Sequence, residues 1–414
     1  MTWAEALAPL RAAAFRWYFA SRVANTLGTT MATVALTFAV LDLTGSASAV
    51  GQVLAARTVP MVLLLLYGGV LADRLPRSLV LQLSNSLSAL TQGTVAFLVL
   101  TGSAELWMIL LLEAANGAVS AVSMPAMQAI VPSLVPRASL QQANALLSLS
   151  RNGLAVLGPS IGAGLVVTVG AGWAIAVDAC LWLVAALLLL PVDLPPLPRT
   201  EERPGFVAEL REGWTVFAGT TWLWVVVVAF AVINAVHIGA FYTLGPAVAD
   251  RTIGKDGWGL VLSAEALGFL LMTVLLLRVR LRRPLLLGMV GVALLGAPLA
   301  VLGTGPDLGL LLGCALVAGA GTELFALAWT LAMQENIEPQ LLSRAYSYDA
   351  LGSYAAMPVG QLLYGPLGET FGHQDVLLAS SFVIATAALA PLLSRSVRTL
   401  DRVPIDPAPS PVSP

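Results

Sequence analysis

Apolar residues fall along this chain in long runs, and the short stretches between them hold nearly all of its charge. The runs lie roughly at 17–40, 49–72, 79–100, 106–130, 143–168, 171–190, 219–246, 257–277, 284–303, 308–332, 347–367 and 374–393. Each is about 20 residues or somewhat longer, the length at which a helix rising 1.5 Å per residue crosses a hydrocarbon core of about 30 Å. Hydrocarbon offers no partner to free backbone groups, so runs of this length predict helices. The pattern therefore predicts twelve spans. The tightest connection, between the fifth and sixth, rests on Gly170 and Gly172.

The longest polar insertion divides the spans six and six. The predicted organisation is a bundle at 1–190, a cytoplasmic linker at 191–218, a second bundle at 219–394 and a tail at 395–414. The linker opens with five prolines in PVDLPPLPRTEERPG, which favours extended backbone. Its second part, FVAELREGWTVF, predicts a short amphipathic helix along the membrane interface, with Phe206, Leu210 and Trp214 on one side. The tail ends in VPIDPAPSPVSP, a composition that predicts disorder.

Composition agrees with a membrane solvent. Of the 414 residues, 58% are hydrophobic and 11% charged, whereas soluble domains carry about 25% charged residues. The net charge of -2 gives no nucleic-acid signal. Cys180 and Cys314 lie in separate apolar runs, suggesting neither a disulfide framework nor a metal site. The first 15 residues show no cleavable signal pattern, so the first span is expected to act as the targeting element. Arg11, Arg16, Arg74, Arg77, Arg137, Arg199, Arg203, Arg211, the arginines at 278–283, Arg344, Arg395, Arg398 and Arg402 all fall before the first span, after an even-numbered one, in the loop before the fifth or eleventh, or in the tail. The opposite loops hold Arg251 and Lys255. This asymmetry predicts a multi-pass protein of the plasma membrane with both termini cytoplasmic.

Between the second and third spans the chain reads GGVLADRLPR, residues 68–77. Gly69, Asp73, Arg74 and Arg77 form G-x-x-x-D-R-x-x-R, which resembles the loop signature of the major facilitator superfamily of secondary transporters. Pro76 and Ser78 depart from the usual glycine and basic residue. The resemblance implies an all-α polytopic membrane protein with that superfamily's fold, twelve transmembrane helices in two six-helix bundles. It also implies that the glycine admits a close helix contact and that the charges help hold the halves together at the inner face. The loop RVRLRRP, 278–284, occupies the equivalent place in the second half but lacks the aspartate. A second element, GPSIGAG at 158–164, resembles the G-P-x-x-G-G motif of the superfamily's exporters. There Pro159 removes a backbone donor and is expected to bend the helix, while Gly158, Gly162 and Gly164 allow close packing. Residues 125–152 are similar to the drug and siderophore exporter branch that includes the enterobactin-exporter type and Tap-like pumps.

Charges inside a membrane are costly unless paired or facing water. Arg57, Glu113 and Asp178 lie at matching depth, about 12 Å from the outer end at 1.5 Å per residue, which predicts a buried network in the first half. The superfamily often has an arginine near Glu113 on the fourth helix, and this chain does not. In the second half Glu265 lies in the outer third, and Glu323 near the membrane middle, with Phe325 and Trp329 following. Glu323 is a candidate for binding a proton or a cation. Asn234 and His237 are a further pair. Asn25 is expected to line the cavity better than Arg22, while Arg151 and Asn152 are expected to snorkel toward the inner face.

The resemblance places a central cavity among helices 1, 2, 4, 5, 7, 8, 10 and 11. Aromatic and thioether residues there suit lipophilic or amphipathic compounds. The favoured function is a proton-coupled exporter of small molecules, drugs or siderophores among them, driven by the proton gradient without a cofactor. Its partners would be substrate, protons and lipid, and it would work as a monomer. An importer of the same fold is the alternative. A scaffold or enzyme is disfavoured, because no Walker A motif, H-E-x-x-H or serine-histidine pairing is present.

Overall fold

Backbone groups in hydrocarbon must bond within their own segment, so each apolar run closes as a helix and ends where a residue breaks the ladder. The structure, a computed structural model, describes residues 3–44, 47–192, 205–305 and 307–400. The first half holds α1 (Ala13–Thr44), α2 (Ala47–Arg74), α3 (Arg77–Thr101), α4 (Leu106–Leu134), α5 (Leu140–Val169) and α6 (Ala171–Leu188). The linker helix is α7 (Phe206–Gly219). After it come α8 (Thr221–His237), α9 (Gly254–Leu276), α10 (Pro284–Thr304), α11 (Leu308–Asn336), α12 (Leu342–Tyr354), α13 (Met357–Phe371) and α14 (His373–Leu389). Among the described residues no strand occurs, and eleven helices are long and apolar enough to cross a membrane. The chain is thus an all-α polytopic membrane protein. Gly170 alone joins α5 to α6, with φ 91° and ψ 159°, a region that favours glycine.

The predicted single run at 347–367 is instead two shorter helices, α12 and α13. The cause is local. Pro358 has no N–H for the carbonyl of Tyr354, and the helix parts between Tyr354 and Met357. Pro298 has the same relation to Leu294, where α10 is interrupted between Ala293 and Gly296. Pro246 cannot donate to Tyr242, and α8 continues through a π-helical stretch, Ile238–Leu244, before the short helix Gly245–Thr252. Pro159, by contrast, sits inside a continuous α5.

Within the first half α2 packs on α4, α3 on α6, and α1 on α5 and α6. Within the second, α9 and α10 pack on α11, and α14 on α8 and α10. Equivalent pairs use the same device. Gly117 of α4 lies on the backbone of Arg57 in α2, and Gly319 of α11 lies on that of Glu265 in α9. Helices without a side chain at the crossing approach closely, which replaces a hydrophobic driving force that lipid does not supply.

The halves meet through α2 with α12, α5 with α9, and the inner stretches of α4, α5 and α11. One hydrophobic cluster joins both halves at this end, from Tyr18, Ala126 and Leu140 to Leu276, Leu327 and Leu331. Toward the other end, a separate cluster around Ala35, Val95, Ile109 and Ile175 belongs to the first half alone. There α13 packs on α8, its π-helical continuation and α14, all in the second half. The halves are therefore joined at the end that carries Arg74, Arg77 and Arg344.

The linker helix packs against α12, α8 and α2. Its protein-facing positions are Glu209, Gly213 and Phe217, while Trp214, on the side expected to lie along the membrane interface, is 54% exposed; the side chain of Phe206 lies outside the described residues. The spacing of four is helical on either face. Glu209 turns inward because two arginines meet it there. The expectations for residues 193–204 and for the tail from 401 onward lie outside the described residues, as do Arg199, Arg203 and Arg402.

Candidate functional site

The contacts between the halves form three polar tiers. The lowest is built on the loop signature. Gly69 abuts the first turns of α12, where an added Cβ would stand 2.9 Å from Ser347 Cβ. One turn on, Asp73 Oδ2 lies 3.3 Å from Arg344 Nε and accepts the backbone N–H of Arg344 at 3.3 Å. A carboxylate at the first turn of a helix also meets the positive end of the helix dipole. Arg77 donates to Asp73 Oδ1 at 3.5 Å, to the carbonyl of Ala129 at 2.8 Å, and to the carbonyl of Pro339 across the interface. Arg74 turns outward to Glu209, donating from Nε to both carboxylate oxygens at 3.2 and 3.1 Å. Arg344 completes the cluster, with Nη2 3.6 Å from Glu209 and Nη1 donating to Glu212 at 2.8 Å.

The second tier is neutral. Gln141, at the start of α5, donates to the carbonyls of Leu276, at 2.8 Å, and Val279, and its Oε1 accepts the N–H of Leu281 at 3.3 Å. It thereby satisfies backbone groups left open at the end of α9. Asn144 donates to Gln334 Oε1 at 2.7 Å, and Gln334 donates to the carbonyl of Gln128 at 3.0 Å.

The third tier centres on Glu323. Its Oε2 accepts from Asn152 at 3.1 Å and from Arg151 Nη2 at 3.5 Å, both on α5 in the opposite half, and Asn152 also donates to Thr273 Oγ1 at 3.3 Å. Glu323 is 2% exposed, and Oε1 has no hydrogen-bond partner. Arg151 and Asn152, expected to snorkel to the inner face, are instead turned across the interface because a buried carboxylate awaits them there. Beside this tier lies a cavity of about 100 Å³ walled by α1, α4, α5 and α11, with Tyr18, Arg22, Thr26, Ser148, Arg151 and Thr330 among its lining. Arg22 lines it, and Asn25 stands behind, accepting from Arg22 at 3.0 Å and donating to Asn85 at 3.4 Å. The expected preference for Asn25 is thus reversed.

Of the network expected in the first half, the contact between Arg57 and Glu113 is present. Arg57 Nη1 is 3.9 Å from Glu113 Oε2, and Gln92 donates to Glu113 Oε1 at 2.8 Å. Asp178 lies within electrostatic reach of both. Its Oδ1 occupies the space a side chain on Gly28 would need. In the second half Trp329 stacks on Phe325, which stacks on Phe230 with centroids 4.0 Å apart, and meets Trp222 edge-on at 5.7 Å. Trp329 Nε1 donates to Asp349 at 3.0 Å. Asn234 and His237 do not join each other. Asn234 donates to the carbonyl of Ser353 at 3.1 Å, while His237 stacks on Phe241 at 5.2 Å. Gly158 and Gly162 lie against Thr30 and Met31 of α1, whereas Gly164 faces open space.

Several residues were not candidates from sequence: Glu209, Gln141, Asn144 and Gln334 at the interface, and Asp349 within the second half. Of these Glu209 carried a visible signal, an acid one helical turn from the start of an amphipathic segment, and Asp349 another, a charge inside a predicted span. Among the described residues no group of three or more histidine, cysteine or acidic side chains could hold a metal.

Residues 4–412 match the family model described as transmembrane secretion effector. Macrolide efflux protein A of Streptococcus pyogenes is 21% identical over 403 residues, covering 94% of this chain and 97% of that protein. Multidrug efflux pump Tap of Mycolicibacterium fortuitum is 27% identical over 393 residues, covering 89% and 92%. Among solved structures, a bacterial homologue of the iron transporter ferroportin in an outward-facing state has a TM-score of 0.74 at 18% identity, covering 92% of this chain and 98% of that one. That likeness concerns the fold.

Proposed function

Because the chain belongs to the transmembrane secretion effector family of the major facilitator superfamily, we propose that it is a proton-coupled exporter of lipophilic or amphipathic small molecules, working by alternating access. The α12 and α13 pieces together make the eleventh of twelve spans, the two halves are six-helix bundles, and the basic end faces the cytoplasm. The outward direction is supported by the efflux proteins among the relatives.

The observation that carries the coupling is the tie of Glu323 to Arg151 and Asn152 across the halves. A proton arriving from outside removes the charge that holds Arg151, and the third tier loosens. The lower tiers then part, and the cavity becomes open to the cytoplasm. Glu323 releases its proton there, substrate enters, and restored pairing returns the carrier to the arrangement seen. Proton and substrate thus alternate, which is antiport. Gly69, Asp73, Arg74 and Arg77 gate the inner end, and Gly158, Pro159 and Gly162 set how α5 rides on α1. Arg57, Glu113 and Asp178 anchor the first half, while Asn25, Asn234, His237 and Trp329 shape the walls.

The test is transport into sealed everted vesicles with an imposed pH gradient, across a chemically varied compound set. Uptake should stop when a protonophore collapses the gradient. Uptake that follows ATP after the gradient is abolished removes this reading, and uptake only in right-side-out vesicles favours the importer.

A further inference from the structure

The cavity between the halves is not balanced in charge. Of the two arginines in its wall, Arg151 is met by Glu323, whereas Arg22 forms no ion pair among the described residues. Its contacts are neutral: Nη1 donates to Asn25 Oδ1 at 3.0 Å and rests on the Met127 sulfur at 2.7 Å. Both contacts use Nη1, so the planar guanidinium retains donors for a bidentate partner. A cation kept within the membrane without an anion is costly, and such residues mark substrate paths. Thr26, Gln128 and Ser148 add uncharged polar groups to the same wall, and Leu147 and Leu327 add apolar ones.

We propose that Arg22 receives an anionic group, a carboxylate or phosphate, on the transported compound, so that the substrate class is amphipathic organic anions. A cationic compound would meet Arg22 and Arg151 as like charges, and Glu323 beside the cavity is already engaged by Arg151 and Asn152. The cavity, about 100 Å³, is smaller than the roughly 300 Å³ or more that drug-sized ligands fill. It accommodates an oxyanion head. This inference rests on the transport reading above only for the claim that the bound compound is carried.

Thermal stabilisation of the purified full chain tests it, using naphthalene, biphenyl and anthracene carboxylates beside their methyl esters and aminomethyl counterparts. Carboxylates should stabilise the protein and the esters and amines should not. Arg22→Gln should weaken carboxylate binding roughly 10-fold or more, the scale of a lost charge-assisted hydrogen bond, and Arg22→Lys, which keeps the charge but not the bidentate fork, should weaken it less. Stabilisation led by amines or esters, no stabilisation by any carboxylate, or an unchanged carboxylate effect in Arg22→Gln overturns the proposal. If Arg22→Gln does not fold, the ranking on the unaltered protein decides alone. Gradient-driven export of amines without the carboxylate ranking removes the anion site and keeps the exporter. Carboxylate binding without gradient-driven export does the reverse.

Discussion

Asp73 and Arg344 face each other across the two halves, the carboxylate meeting both the side chain and the backbone N–H of the arginine at 3.3 Å. The Asp73 side chain is 1% exposed, so solvent screens this contact little. Asp73→Asn keeps the shape and removes the charge. It should weaken the joined end by about 1–2 kcal/mol, the scale of a charge at a partly buried helix end. That shifts a balanced two-state carrier roughly 5- to 30-fold toward opening at this end. Spin-label distances across the inner end should lengthen in a larger fraction of molecules, with expression near normal and turnover reduced.

Glu209 holds Arg74 and Arg344 at once, and so fastens the linker helix to both halves. Glu209→Gln should cost about 1–3 kcal/mol of that docking, as for hydrogen bonds to charged groups. Faster limited proteolysis at residues 205–219 is the expected readout. Unchanged proteolysis would show that Tyr348, whose hydroxyl donates to the carbonyl of Leu210 at 2.9 Å, holds the helix without Glu209.

What the sequence made legible was local spacing and depth. Gly69, Asp73 and Arg77 lie one helical turn apart and can be read as a unit. Arg57, Glu113 and Asp178 were brought together by counting residues from one membrane face. Neutral amides escaped that reading. Gln141, Asn144 and Gln334 look like ordinary helix residues until partners more than 100 positions away are known. Arg151 and Asn152 were misassigned for a related reason, since depth alone cannot say which half a side chain turns toward. The prolines show the limit most plainly. Pro60, Pro125, Pro132 and Pro159 sit inside continuous helices, whereas helices part before Pro298 and Pro358, although each proline lacks the same N–H.

The glycine-proline element of α5 makes a graded prediction. A Cβ at Gly162 would stand 2.7 Å from the carbonyl oxygen of Met31, a backbone atom that cannot move aside cheaply, while Gly164 has nothing within 4 Å. Gly162→Ala should therefore destabilise by about 1–3 kcal/mol through overpacking. Gly164→Ala should stay within about 0.5 kcal/mol. Thermal unfolding of the two purified variants checks the difference.

Orientation is open to direct labelling. With the basic end cytoplasmic, single cysteines at positions 5 and 405 should resist an impermeant reagent applied to intact cells, and one at 253 should react. Labelling at either terminus from outside would overturn the assignment of the basic end to the cytoplasm, and the reversed pattern would exchange the inner and outer roles throughout.

Glu323 and Glu113 offer the decisive comparison for coupling, because both are buried carboxylates with one arginine neighbour but differ in where that neighbour sits. Arg57 belongs to the same half as Glu113, so their pairing persists through a rigid-body swing of the halves. Arg151 belongs to the half opposite Glu323, so the proposed alternating-access cycle would break and re-form their pairing. Glu323→Gln keeps size and hydrogen bonding but fixes the uncharged form. Proton-driven efflux should fall by about 10-fold or more, as for a lost charge-assisted contact, and the remaining transport should lose its pH dependence. Glu113→Gln should lower thermal stability, because Arg57 is left without its carboxylate, while pH dependence is retained in whatever protein folds. Equal membrane levels are needed for the comparison. If only Glu113→Gln abolishes the pH dependence, the proton is carried in the first half and the tie between Glu323 and Arg151 serves as a latch alone.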